Sequence, residues 1–237
     1  MSEPKVSIII PSYNRFEYLL NAIESVQSQN YKNKEIIVVN DNSSQMEYYN
    51  YDFKNILKID LDSSFKKKFG FPTDAVRNEG VKFATGKYVA FLDDDDIWLQ
   101  NKLRTQIEKM ETTKLEFSST EGYFGEGIFD KNKKYKLYNS EKFYKKIRKR
   151  YQGSKYYKSF EYPSVWNLEF IKIHNCVITS SVIVDKNLFN SVGGFDGLPN
   201  GVGDYDCWLR LLSKTNLAYI DEPLFYYDGA HGSGRNY

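Results

Sequence analysis

Cysteine, histidine and long apolar runs are all scarce in this chain. Cys176 and Cys207 are its only cysteines, too few for a disulfide framework and without the spacing of a metal site. No apolar run approaches the ~18 residues of a membrane span. The first apolar run, residues 6–10 (VSIII), is short and lacks a basic leader, which argues against a cleaved signal peptide. Net charge is nearly missing too: 33 Lys and Arg against 31 Asp and Glu leave +2 over 237 residues. Taken whole, that is not the charge of a nucleic-acid binder. A soluble, cytoplasmic protein is expected, and no internal repeat or Pro/Ser linker divides it.

What is present points to a folded enzyme-sized unit. Hydrophobic residues make up 41% of the chain and charged ones 27%, which argues against a disordered or fibrous protein. The length suffices for a full core in one domain, residues 1–237. The near-zero net charge hides a segregation. Residues 131–158 hold 12 Lys and Arg, six tyrosines and one acid, Glu141, leaving 21 bases and 30 acids elsewhere.

The first half alternates strand and helix signals. Residues 6–10, 35–39, 55–61 and 87–92 read as strands, and the stretch after Arg15 and residues 73–84 as helices. Such alternation implies an α/β fold with a mostly parallel sheet flanked by helices. The second half is less regular. Residues 116–130 and the basic segment show weak periodicity; 177–184 and 218–220 read as strands, 204–213 as a helix.

Ligands of open α/β sheets bind beyond the carboxyl ends of strands. Three such ends here are rich in amides and carboxylates: residues 11–15, 41–44 and 93–96. Four adjacent aspartates, Asp93 to Asp96, follow an apolar strand directly. Their mutual repulsion would be relieved by a divalent cation, and all-oxygen ligands suit Mg²⁺ or Mn²⁺. An acidic turn is the plainer reading, with Asp96 capping a helix over 98–110. Asp95 is the expected metal ligand.

Taken in order, VSIIIPSYNR (6–15), EIIVVNDNSS (35–44), AVRNEG (75–80), ATGKY (84–88), FLDDDDIW (91–98), GGFD (193–196), GDYDCWLRL (203–211) and Tyr227 with His231 resemble the family 2 glycosyltransferases. The resemblance covers nearly the whole chain apart from about residues 111–170. It implies a GT-A-type, Rossmann-like fold, a nucleotide-diphosphate-sugar donor (a UDP-sugar foremost), Mn²⁺ or Mg²⁺, and inversion at the anomeric carbon. It also implies a division into a nucleotide-sugar half, 1–110, and a variable acceptor half, 111–237, with the basic insert at 131–158.

Carried over by residue, the resemblance puts Pro11, Tyr13 and Asn14 in the nucleotide pocket and Asp41 on the base. Arg77 falls against the base or diphosphate, Asp93 and Asp94 against ribose and donor, Asp95 on the metal, and His231 near the metal or diphosphate. Pro11 and Asn14 also suit plain turns, Arg77 a helix surface, and His231 a Gly-rich tail. Asp204 is the expected base, taking a proton from an acceptor hydroxyl; as a helix N-cap it would be purely structural. The family usually has an acid just before this aspartate, and here that position is Gly203.

On the acceptor side, Trp166 with nearby tyrosines and Gly194, Phe195 and Asp196 are expected contacts for a glycan, lipid-linked or protein acceptor. The basic insert suits an anionic acceptor or a peripheral membrane contact, or else a solvated helix pair whose lysines face water. Two other classes stand beside the transferase. One is a non-catalytic nucleotide-sugar-binding module tethered through the insert. The other is a sugar-1-phosphate nucleotidyltransferase, which the lack of a Gly-rich loop after the first strand disfavours.

Overall fold

In the computed structural model, which describes residues 3–71, 73–157, 161–199 and 202–230, the β-branched runs form the middle of one sheet. The elements run β1 (Val6–Ser12), α1 (Phe16–Gln27), β2 (Lys34–Asn40), α2 (Glu47–Asn50), β3 (Leu57–Asp60), α3 (Phe65–Phe69), α4 (Val76–Val81), β4 (Tyr88–Phe91) and β5 (Ile97–Trp98). They continue with α5 (Lys102–Thr113), β6 (Phe117–Gly125), β7 (Lys136–Leu137), α6 (Tyr144–Arg150), β8 (Val165–Trp166), α7 (Leu168–Ile173), β9 (Ile183–Asp185), α8 (Lys186–Ser191), α9 (Gly203–Leu212) and β10 (Leu217–Asp228). The sheet order is β3-β2-β1-β4-β9-β6-β10-β5, with β7 on β6 and β8 on β10.

The pairs β1 with β2, β1 with β4, β2 with β3 and β6 with β10 are parallel, while β9 lies antiparallel between β4 and β6. Every residue of β1 is buried, because helices cover both faces of the sheet, as in parallel sheets generally. Alternate side chains divide between two cores: Ile9, Val39 and Phe91 pack on one side, Ile8, Ile10 and Val38 on the other. The chain turns to β2 on one side of β1 and to β4 on the other. The carboxyl ends of these three strands therefore share one crevice.

Four expectations change. The helix expected over 98–110 begins at Lys102, behind Asn101. Residues 97 and 98 instead pair with β10, because the buried Trp98 ring donates its Nε1–H to the Ser180 carbonyl at 2.8 Å. The helix expected over 73–84 shortens to Val76–Val81, since Thr73 bridges to Pro199. The strand expected over 177–184 is interrupted by a 3₁₀ turn, Thr179–Ser181. There the Ser181 hydroxyl donates to the Ile178 carbonyl at 2.6 Å, the local bonding by which small hydroxyl residues compete with sheet ladders. The short strand expected at 218–220 extends over twelve residues, and register shifts on either side of Pro223 accommodate the missing donor.

Candidate functional site

The turn after β1 is held by its own polar side chains. Asn14 takes the left-handed conformation, φ 53°, which asparagine tolerates better than most residues. Its Oδ1 accepts from the Ser44 amide at 2.7 Å, and its own amide donates to Ser43 Oγ at 3.0 Å. Asn14 thus joins the β1 turn to the β2 turn. Pro11 is buried and Tyr13 half-buried beside it. Asp41 is buried, with one carboxylate oxygen accepting from the Phe65 amide at 2.8 Å. Burial pushes its pKa up to about 6.

The four aspartates after β4 separate by alternation. Asp94 is buried beneath the loop: Oδ2 accepts from Ser12 Oγ at 2.6 Å and Oδ1 from Arg15 at 3.1 Å. Asp94, expected against the donor, thus has both carboxylate oxygens bonded within the fold. Asp95 accepts from Arg15 at 2.6 Å, and Asp93 pairs with Arg77. Asp96 caps no helix, which corrects that reading. Its Oδ1 accepts from the Asp228 amide at 2.9 Å, while its buried Oδ2 makes no hydrogen bond of ordinary geometry.

Asp93, Asp95 and Asp96 can each bring one carboxylate oxygen within 4.8 Å of the others. Burial and mutual repulsion raise the pKa values of Asp95 and Asp96 well above the ordinary range. Hard oxygen donors, an orphaned buried oxygen and repulsion that two arginines only partly offset together fit a divalent cation. Sequence reasoning left Asp96 out of the candidate ligands, because an aspartate ahead of a helical pattern reads as a cap.

Arg77 is no surface residue. It is buried, with one arm on Asp74 at 2.7 Å and the other on Asp93. Asp74 in turn accepts from the Asp204 amide at 3.2 Å, so the chain Asp93, Arg77, Asp74, Asp204 runs across the crevice. Asp204 lies in the first turn of α9, whose N-cap position is Val202. Its Oδ1 accepts from the Tyr205 amide at 2.6 Å, and Thr179 Oγ1 approaches Oδ2 at 3.5 Å. Burial, then the charge of Asp74, push its pKa up to about 7. Asp206 instead pairs with Arg210 at 2.7 Å along the helix surface. Neither Asp74 nor Arg15 stood out in the sequence as a site residue.

The acceptor-side expectations fare differently. Trp166 is fully buried and stacks on Tyr219 at 4.0 Å between centroids, so its ring offers no face to a sugar. That expectation is corrected: β8 pairs with β10 and draws the indole into the core. Phe195 is buried as well, packed on Phe91, Phe189 and Trp208. Its backbone is clasped by Asn78, which donates to the Phe195 carbonyl at 2.7 Å and accepts from its amide at 3.1 Å. Gly194, at φ +69°, leaves no room for a Cβ, which would sit 2.7 Å from Asn78 Oδ1. Gly194 and Phe195 are therefore packing residues. Asp196 is exposed, 3.7 Å from Arg210. His231 lies outside the described residues.

The basic insert holds β7, a π-helical turn (Tyr138–Lys142) and α6, rather than a helix pair. Buried Glu121 anchors it, accepting from the amides of Asn139 at 3.0 Å and Ser140 at 2.9 Å. Ile147 and Tyr151 point into the core, while Lys131, Lys133, Lys134, Lys145, Lys146 and Lys149 are exposed. Among the described residues no helix is long and apolar enough to cross a membrane.

Comparison with known proteins fits this arrangement. Residues 7–175 match the model of the family described as Glycosyl transferase family 2. A Rickettsia typhi protein, the uncharacterized glycosyltransferase RT0329, is 32% identical over 224 residues, 93% of this chain and 63% of that protein. The Escherichia coli protein WfaP, named as a UDP-Glc:alpha-D-GlcNAc-diphosphoundecaprenol beta-1,3-glucosyltransferase, is 39% identical over 118 residues, half of this chain and 46% of its own. An uncharacterized glycosyltransferase of Rickettsia bellii is 40% identical over 124 residues, 51% of this chain and 17% of its own. The chain thus spans 17% to 63% of the length of these relatives. Among solved structures, residues 1–349 of Staphylococcus aureus TarS superpose with a TM-score of 0.66 at 18% identity, covering 94% of this chain and 60% of that one. That likeness shows a fold of the GT-A type.

Proposed function

The chain belongs to glycosyl transferase family 2, and from that premise we propose that it transfers a hexose from a UDP-sugar to an acceptor hydroxyl with inversion. The observation that carries the reading is the placement of Asp204. It is a half-buried carboxylate whose pKa is pushed up to about 7, tied through Asp74 and Arg77 to the aspartates at the strand ends. A base poised near neutral pH suits proton removal from a hydroxyl. In the proposed step, Asp204 takes the acceptor proton while the acceptor oxygen bonds the anomeric carbon. The bond from that carbon to the diphosphate oxygen breaks, and UDP leaves.

Pro11, Tyr13, Asn14 and Asp41 would line the nucleotide, and Arg77 would hold Asp93 toward the diphosphate. Asp93, Asp95 and Asp96 would hold Mn²⁺ or Mg²⁺. When bound, such an ion offsets charge growing on a departing diphosphate.

The activity by which WfaP is named supports a UDP-sugar and a lipid-linked acceptor. That TarS has been solved in complex with UDP-GlcNAc supports the UDP-sugar. The exposed lysines of the insert would hold the protein against an anionic membrane surface, where such an acceptor resides.

The test is release of UDP from UDP-sugars and of GDP from GDP-sugars with Mn²⁺ or Mg²⁺, using GlcNAc-diphosphoundecaprenol as acceptor, in wild type and Asp204→Asn. Metal-dependent turnover in the wild type and its loss in the variant are expected. Full transfer by Asp204→Asn would reject the base. Tight UDP binding without turnover across the panel would instead indicate a binding module.

A further inference from the structure

The N-cap residue of the helix that carries Asp204 cannot cap it: that position is Val202, whose side chain has no acceptor. Within the first turn the Asp204 carboxylate takes the Tyr205 amide at 2.6 Å, and the Asp204 amide itself must be met from elsewhere. The first amides of a helix need partners, and a valine cannot supply one. The acceptor comes from far away in sequence: Asp74 Oδ2 receives the Asp204 amide at 3.2 Å. Its carboxylate also complements the positive end of the ten-residue α9.

The loop leading into α9 is shaped to reach this carboxylate. Thr73 bridges to Pro199, and its hydroxyl donates to the Asp196 carbonyl at 3.4 Å. Gly203 lies so close that a Cβ there would stand 3.2 Å from Asp74 Oδ2 and 3.3 Å from the Leu198 carbonyl. The other oxygen of Asp74 binds Arg77 at 2.7 Å, and Arg77 reaches on to Asp93. One buried carboxylate is thus shared by the helix that presents Asp204 and the arginine that steadies the aspartate loop.

We infer that Asp74 is a positioning residue for the transfer: it caps α9 in trans and fixes the Asp204 carboxylate relative to the aspartates that face the donor. This rests on the transferase reading above. A carboxylate is required rather than an amide, because both oxygens accept. An asparagine at 74 would turn its NH₂ toward either Arg77 or the Asp204 amide, and one of the two bonds would be lost.

The experiment compares wild type with Asp74→Asn. Steady-state transfer is measured from UDP-glucose, UDP-N-acetylglucosamine and UDP-galactose to GlcNAc-diphosphoundecaprenol, with thermal unfolding as the fold control. Asp74→Asn is expected to lower kcat about tenfold or more, with the KM for the donor within about threefold, because a misplaced base costs rate rather than donor binding. The inference is overturned if Asp74→Asn keeps kcat within about twofold of wild type, or if its whole loss falls on KM. A wild type inactive with every donor overturns the transferase reading itself, and the positioning role with it. Activity of the wild type separates the two failures.

Discussion

Asp95 accepts a 2.6 Å hydrogen bond from Arg15, so the turn after β1 supplies countercharge to the loop after β4. Arg15 and Arg77 bring two positive charges to four aspartates, and in the proposed reading a divalent cation offsets the remainder. Saturating Mn²⁺ is expected to raise the thermal midpoint of the wild type; at a hundredfold excess over Kd the gain is about 2.7 kcal/mol. Asp95→Ala should abolish that shift and lower kcat by about 10²-fold or more. An equal Mn²⁺ shift in the variant would remove Asp95 from the ligand set.

The base assignment predicts a pH profile. Asp204 acts only when deprotonated, and burial places its pKa at about 7. Therefore kcat/KM should rise with pH through about 7 and then level off. Asp204→Asn should lose that limb together with about 10²- to 10⁴-fold of the rate, while UDP binding measured by calorimetry persists. An unshifted limb in the variant would assign it to another group.

Gly194→Ala tests the clasp between Asn78 and the GGFD turn. The added methyl meets Asn78 Oδ1 at 2.7 Å and Phe189 Cε1 at 3.1 Å, on a backbone at φ +69°. A loss of about 2–3 kcal/mol is expected in denaturant unfolding. A change below about 0.5 kcal/mol would show that the turn relaxes freely.

Lys102 is fully buried, its ammonium 2.6 Å from Gln106 Oε1 and 4.1 Å from the Trp98 ring centroid. Burial lowers its pKa well below 10.5. The folded chain therefore binds the proton less readily than the unfolded one, and this penalty is present at neutral pH and fades as pH rises toward 10.5. Lys102→Met should stabilise the fold by about 1–3 kcal/mol at pH 7 and by less at pH 10. Unfolding curves at the two pH values decide it.

The exposed bases of the insert predict salt-dependent binding to anionic vesicles. Each Lys near such a surface contributes about 1 kcal/mol. Reversing Lys145, Lys146 and Lys149 to Glu should weaken vesicle sedimentation by about 10²-fold or more while leaving UDP binding unchanged. Equal sedimentation of the triple variant would reject the membrane contact.

The donor side was legible because its strands are buried on both faces and end abruptly in polar turns. Ile8, Ile9 and Ile10 announce β1, and four aspartates announce the end of β4. The middle of the sheet was not. β6 places Ser118, Ser119, Thr120 and Glu121 wholly inside, where Gln106, Ser181 and the π-helical turn bond Ser118, Ser119 and Glu121. A hydrophobic pattern cannot register a strand whose buried residues are polar. Trp166 misled for the opposite reason: an aromatic in an irregular stretch looked available, and pairing with β10 closed it off. Asp74 was invisible as a partner because the amide it caps is 130 residues away.

The position of β10 bears on how the chain is made. It is synthesised after β5 and β6, yet it lies between them and bonds both. On the ribosome, β1, β2 and β4 can assemble early as a parallel unit, while β6 must wait with one edge open. Exposed edges of this kind invite aggregation. Completion of the sheet thus depends on prompt arrival of β10, the strand that covers the open edge of β6.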